Sequence, residues 1–152
     1  MKTQDFGFYK VGCGVPRIKV ANPAYNAGEI IKLMAQAKEA GCSVLLTPEL
    51  SLTGATCGDL FYQRSLLNAC EAAMETILEA SKGSSMITVV GLPVANGSKL
   101  YNCAAVMARG EICGIVPKVH IEPSEKRWFA SGKGLSGVYL EPEDLGLTAS
   151  ED

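Results

Sequence analysis

Two kinds of apolar patterning alternate along this chain. Short apolar runs bounded by glycine or proline read as buried strands; longer stretches with an apolar residue every three or four positions read as amphipathic helices. Residues 8–15 form the first strand candidate, ended by Pro16, which has no N–H to give a ladder. Asn22-Pro23 then supplies a cap and a first-turn proline. Ile30, Ile31, Met34, Ala37 and Ala40 follow with helical spacing until Gly41. Residues 43–47 are a short, continuously apolar strand, as expected for a sheet covered on at least one face. Residues 48–63 lose all period and read as a long functional loop. The second helix spans residues 65–81, with Leu66, Cys70, Ala73 and Ile77 as its stripe and Leu67, Met74 and Leu78 widening it. Strands over 86–94, 100–108 and 111–116 follow, with turns placed at Asn96-Gly97 and Arg109-Gly110.

The predicted order is therefore β-α-β-α-β-β-β, an α/β layered domain with a mixed sheet. A length of 152 residues fits one domain. Beyond Lys118 the pattern weakens. Residues 133–152 are Gly-rich and then acidic, with five acids and no base in the last twelve, and read as a poorly ordered tail.

Charge removes some functions. Fourteen basic against sixteen acidic side chains leave a formal charge of −2, which offers no electrostatic footprint for nucleic acid. No apolar run is long enough for a membrane span, and the N-terminus lacks a signal-peptide pattern, so a cytoplasmic location is expected. The six cysteines contain no CxxC pair and only one histidine is present, so no metal site is expected. Most of these thiols fall in apolar runs and read as small buried hydrophobes.

The chemistry gathers at two strand ends. Thr47-Pro48-Glu49 sets a carboxylate beyond one apolar strand, and Val116-Pro117-Lys118 sets an ammonium beyond another. In α/β sheets, ligands bind beyond strand ends. A desolvated carboxylate there has a raised pKa and suits a general base; a lysine beside it suits a developing oxyanion. Glu49 alone reads first as a solvated position after a strand; with Lys118, each behind a proline at an apolar strand end, the two readings balance. Cys57, outside any apolar run, is either a reactive or an inert thiol. His120 is either a base or a surface side chain. Residues 125–129, Glu-Lys-Arg-Trp-Phe, either frame a pocket or dock a segment through their two aromatics.

Taken in order, Pro48-Glu49-Leu50-Ser51-Leu52-Thr53-Gly54, Thr56-Cys57-Gly58-Asp59-Leu60-Phe61, Val90-Gly91-Leu92-Pro93, Leu100-Tyr101-Asn102-Cys103-Ala104-Ala105-Val106, Gly114-Ile115-Val116-Pro117-Lys118 and Glu125-Lys126-Arg127-Trp128-Phe129-Ala130-Ser131-Gly132 form a recognisable set. It resembles the N-terminal glutaminase domain of the bacterial glutamine-dependent NAD+ synthetases, within the nitrilase or carbon-nitrogen hydrolase superfamily. The resemblance implies an α-β-β-α sandwich and a Glu-Lys-Cys triad that hydrolyses the amide of glutamine through a thioester. Glu49 matches the general base and Lys118 the oxyanion-stabilising lysine. The family's supporting second glutamate falls in a segment that is shortened here; Glu125, ahead of Glu122, is the expected substitute, and Glu125, Trp128 and Phe129 are expected to bind substrate.

The resemblance runs to Gly132, so residues 1–132 are expected to be a partial domain with helices on one face of its sheet. The family's nucleophilic cysteine follows the lysine by a few dozen residues, whereas no cysteine follows Cys113 here. Cys57 and Cys103 match positions that are not the nucleophile. Ala55 stands where the family usually has tyrosine, and residues 119–125 are shorter than their counterpart. The expectation is a chain inactive by itself, with glutamine as the inferred substrate. The resemblance also implies homo-oligomers and a separate synthetase domain or subunit, to which ATP and Mg2+ belong; the amidase step needs no metal. The competing expectation is a non-catalytic binding or oligomerisation module with the same fold. A flavodoxin-like nucleotide binder fits the opening β-α-β-α but not the later hairpins or the missing phosphate loop.

Overall fold

The computed structural model describes residues 3–135. It contains one five-stranded sheet in the order β1-β2-β3-β4-β5. Strands β1 (Val11–Cys13), β2 (Val44–Leu46) and β3 (Ile87–Asn96) run parallel. Strands β4 (Lys99–Ala108) and β5 (Glu111–Pro117) add antiparallel pairs, making the sheet mixed. Helices α1 (Pro23–Glu39) and α2 (Arg64–Ser81) connect the parallel strands.

Local chemistry sets the helix ends. The Asn22 side chain accepts the Tyr25 N–H at 3.1 Å, capping α1, and Pro23 occupies the first turn, where no N–H is required. Beyond the Ala40 cap, Gly41 takes a φ of +75°, which glycine adopts without a steric penalty.

The core has one side. Ala27, Ile30, Met34 and Ala37 of α1 and Cys70, Ala73, Met74 and Ile77 of α2 pack on Leu45, Val90, Leu92, Val94, Tyr101, Cys103, Ala105 and Met107. Those strand residues alternate, so they share one face of the sheet. Burying a side chain such as Ile30 or Ile77 contributes about 1.5–3 kcal/mol. The opposite face is also apolar, yet much of it is bare. Val11, Leu46, Ile87 and Val116 are 59%, 46%, 39% and 59% exposed. One half of a layered sandwich is present: two helices on one face, and no second layer among the described residues on the other.

Some boundaries differ from the sequence expectation. β1 is shorter, starting at Val11. The first hairpin turns at Gly97-Ser98 rather than Asn96-Gly97, because Asn96 still pairs with Lys99. The second turns where expected, with Arg109 and Gly110 at φ of +56° and +82°, as a two-residue hairpin loop requires. A 3-10 turn, Gly58–Tyr62, lies inside the segment read as irregular. Cys57, Cys70 and Cys103 are buried, whereas Cys13 and Cys113 are exposed. Of the expected tail, Leu135 packs against the core, and residues 136–152 lie outside the described residues.

Candidate functional site

The topology sends Glu49 and Lys118 off the same end of the sheet. Two reversals, β3 to β4 and β4 to β5, restore the direction of β2 in β5. β2 and β5 still lie three strand spacings apart, about 14 Å. The gap closes because the chain after β2 folds across β3. A Cβ on Gly91 would stand 2.4 Å from the Leu50 nitrogen and 2.6 Å from the Pro48 carbonyl oxygen, so the crossing requires glycine there. Leu50 takes a φ of +53° at the bend. The bend is held by the Leu52 N–H to the Gly91 carbonyl at 3.0 Å, the Thr47–Ser51 hydroxyl pair at 2.9 Å and the Gly91 N–H to Ser51 Oγ at 3.3 Å. The fully buried Asn26 of α1 donates to the Leu52 carbonyl at 2.9 Å and so ties the loop to the helix layer.

Lys118 is fixed from the other side. Its N–H donates to the Asn102 carbonyl at 2.7 Å, and its own carbonyl accepts the Gly132 N–H at 2.9 Å. The side chains then meet. Lys118 Nζ lies 2.9 Å from Glu49 Oε2 and 3.0 Å from Glu125 Oε2. Asn102 Nδ2 donates to the same Glu49 Oε2 at 3.0 Å. A cavity of about 430 Å³ opens beside them, walled by Leu46, Val89, Ala104 and Val116 and carrying Glu49, Asn102 and Lys118.

The electrostatics correct one expectation. Desolvation does push the Glu49 carboxyl up, but the hydrogen bond from Lys118 outweighs it, and Asn102 adds to the lowering. The Glu49 pKa is lowered, so the group stands ionised and ready to accept a proton. Lys118 moves the opposite way: the bond to Glu49 raises its pKa, and Glu125 reinforces this. A cation held between two carboxylates stays a cation.

The structure brings together Glu49, Lys118 and Glu125, and not Trp128 or Phe129. Those two line a second cavity of about 380 Å³, with Lys99, Lys126 and Arg127. Phe129 is buried edge-on against Phe61 at 4.9 Å. The Trp128 indole N–H donates to Asp59 Oδ1 at 2.9 Å, and Arg127 grips the same carboxylate with two bonds of 2.8 and 2.9 Å. Glu122 donates only its backbone N–H, to Glu125 Oε2. His120 is exposed. The Cys57 thiol is buried, its Sγ 3.3 Å from the Thr53 carbonyl oxygen, and burial pushes its pKa up. Asn102 had no role in the sequence reading; a lone carboxamide in an apolar strand was the available signal.

Three comparisons place this geometry among known proteins. The profile described as carbon-nitrogen hydrolase matches residues 10–147. The glutamine-dependent NAD(+) synthetase of Mycobacterium tuberculosis (strain ATCC 25618 / H37Rv) is 32% identical over 136 residues, 87% of this chain and 20% of that protein. The synthetase of Aquifex aeolicus is 35% identical over 132 residues, 84% of this chain and 23% of that protein. The crystal structure of the synthetase from Cytophaga hutchinsonii shares the fold with a TM-score of 0.76 at 24% identity, covering 81% of this chain and 22% of that one. The chain thus spans about a fifth of the length of the relatives it matches.

Proposed function

The chain belongs to the carbon-nitrogen hydrolase family, and we propose that it is the base-and-lysine half of a glutamine amidohydrolase that supplies ammonia for NAD+ synthesis. The observation that carries this is the convergence of Glu49, Lys118 and Glu125 within 3.0 Å contacts at one end of the sheet. The two curated relatives described above, both named glutamine-dependent NAD(+) synthetases, support glutamine as the substrate.

In the proposed reaction the ionised Glu49 takes the proton of a cysteine thiol. The sulfur attacks the amide carbon of glutamine, and Lys118 stabilises the oxyanion that forms. The carbon–nitrogen bond breaks as the proton passes from Glu49 to the leaving nitrogen, releasing ammonia. Water, deprotonated by Glu49, then cleaves the thioester to give glutamate and the free thiol. Glu125 holds Lys118 charged throughout. No metal takes part; ATP and Mg2+ serve a synthetase step on another domain or subunit.

Of the six cysteines only Cys103 lines the cavity that carries Glu49 and Lys118, so on this reading another polypeptide segment supplies the thiol. Cys103 lines the cavity, but its side chain packs into the helix-side core on the opposite face of the sheet, and burial there pushes its pKa up to about 12. A cysteine-bearing layer over the bare sheet face would bring one. The test is ammonia release from glutamine by the chain alone and after addition of the cysteine-bearing remainder of a relative's hydrolase domain. The proposal expects none alone, release after addition, and loss of release with Glu49→Ala. Glutamine-dependent release by the chain alone, above that of its Glu49→Ala variant, refutes the half-site reading.

The exposed apolar residues Val11, Leu46, Ile87 and Val116 also favour a second reading, a non-catalytic module that self-associates through this face. Sedimentation decides that point: a monomer at all concentrations removes it.

A further inference from the structure

We infer that Asn102 is a positioning residue that assigns separate tasks to the two oxygens of the Glu49 carboxylate, an inference that rests on the catalytic reading of Glu49 and Lys118. β4 is otherwise apolar between Leu100 and Met107, and Asn102 within it is only 3% exposed. Burying an amide without partners is costly, so an amide here needs a reason. Its partners are both halves of the site. Nδ2 donates to Glu49 Oε2 at 3.0 Å, and the backbone carbonyl accepts the Lys118 N–H at 2.7 Å. One residue of β4 therefore sets the carboxylate that arrives from β2 and the lysine that leaves β5.

Which oxygen is bound matters most. Among the described residues, the hydrogen bonds to the Glu49 carboxylate come from Asn102 and Lys118, and both end on Oε2. Oε1 is left as the oxygen that accepts the proton. A neutral donor suits the task. A second cation would depress the basicity of Glu49 further. An aspartate would add a third carboxylate to a cluster that already holds Glu49 and Glu125 around Lys118. If Asn102 served packing alone, a leucine of similar shape would replace it at little cost.

The experiment is an NMR titration of the 152-residue chain from about pH 7 to about pH 2.5, following the Glu49 carboxyl carbon and the Asn102 side-chain amide protons together. The inference expects both to move with one midpoint and the amide movement to vanish in Glu49→Gln. It also expects Asn102→Leu to raise the Glu49 midpoint, both in the wild-type and in the Lys118→Met background. Amide protons that stay flat while Glu49 titrates overturn it. So does an unchanged Glu49 midpoint in folded Asn102→Leu. If that variant does not fold, the unmutated chain decides by itself. Glutamine takes no part in this measurement, so the two readings fail separately. Ammonia release without coupling sinks the positioning role and spares the function; coupling without release does the reverse.

Discussion

Lys118 Nζ stands 2.9 Å from Glu49 Oε2 although 69 residues separate the two in sequence. The pair joins the end of β2 to the end of β5. The Glu49 carboxyl is held low chiefly by that bond. A depressed carboxyl stabilises the fold above its unfolded pKa, and that contribution is lost as pH falls through the folded value. Lys118→Met is expected to return the Glu49 midpoint toward the ordinary 4.5. It should also flatten the loss of stability as pH falls below the ordinary 4.5, read by urea unfolding. Identical acid profiles for the two proteins would count against the pair.

Gly91 is where the loop bearing Glu49 crosses β3. Gly91→Ala places a methyl 2.4 Å from a backbone nitrogen that no side-chain rotation can relieve. Such overpacking costs about 1–3 kcal/mol, and the urea midpoint should fall accordingly. The Glu49 carboxyl resonance should shift with it, because the bend moves. Gly132→Ala, whose methyl would meet Pro117 at 2.8 Å, should disturb Lys118 in the same manner.

Thr88 sits fully buried on the helix side of β3, and its hydroxyl has no hydrogen-bond partner among the described residues. Valine has the same shape without the desolvated oxygen. Thr88→Val is therefore expected to stabilise the chain by about 1 kcal/mol, a rise in thermal midpoint of about 2–4 °C by calorimetry. A fall would mean that the hydroxyl has a partner after all.

Asp59 clamps Arg127 and Trp128 to the 3-10 turn. The Arg127 guanidinium, with help from the indole N–H, lowers its carboxyl to about 2 from an ordinary 3.8. The clamp should hold above about pH 4 and open as pH falls toward 2. Trp128 is the chain's only tryptophan, so its fluorescence reports the change. Asp59→Asn should abolish the acid transition while leaving the emission at neutral pH near that of the open form.

The thiols divide by burial. Cys13 and Cys113 are exposed, whereas burial pushes Cys70 and Cys103 up to about 12. Maleimide labelling followed by mass spectrometry should find Cys13 and Cys113 modified first. Cys70 and Cys103 should react only at the rate of unfolding.

Element types were legible because the periods differ sharply. Ile30, Met34 and Ala37 repeat as a helix, and the strand runs are short and bounded by Gly or Pro. Glu49 and Lys118 were legible because each follows proline at a strand end, and Glu125 through its place in a family motif. Three features were hidden. The hairpin turned one residue later than Asn96-Gly97 implies, because cross-strand register overrode the local preference. The direction of the Glu49 shift depended on a bond across 69 residues, which no local pattern shows. Asn102 looked like one polar residue in an apolar run until its two partners were seen in space.

The bare face of the sheet has a practical consequence. Val11, Leu46, Ile87 and Val116 are coloured for burial, although nothing among the described residues buries them. Anyone purifying this polypeptide alone will handle a greasy plane. It should light up anilinonaphthalene dyes, cling to plastic and keep better in mild detergent, and a threonine in place of Val116 should ease all three without troubling the helices on the far side.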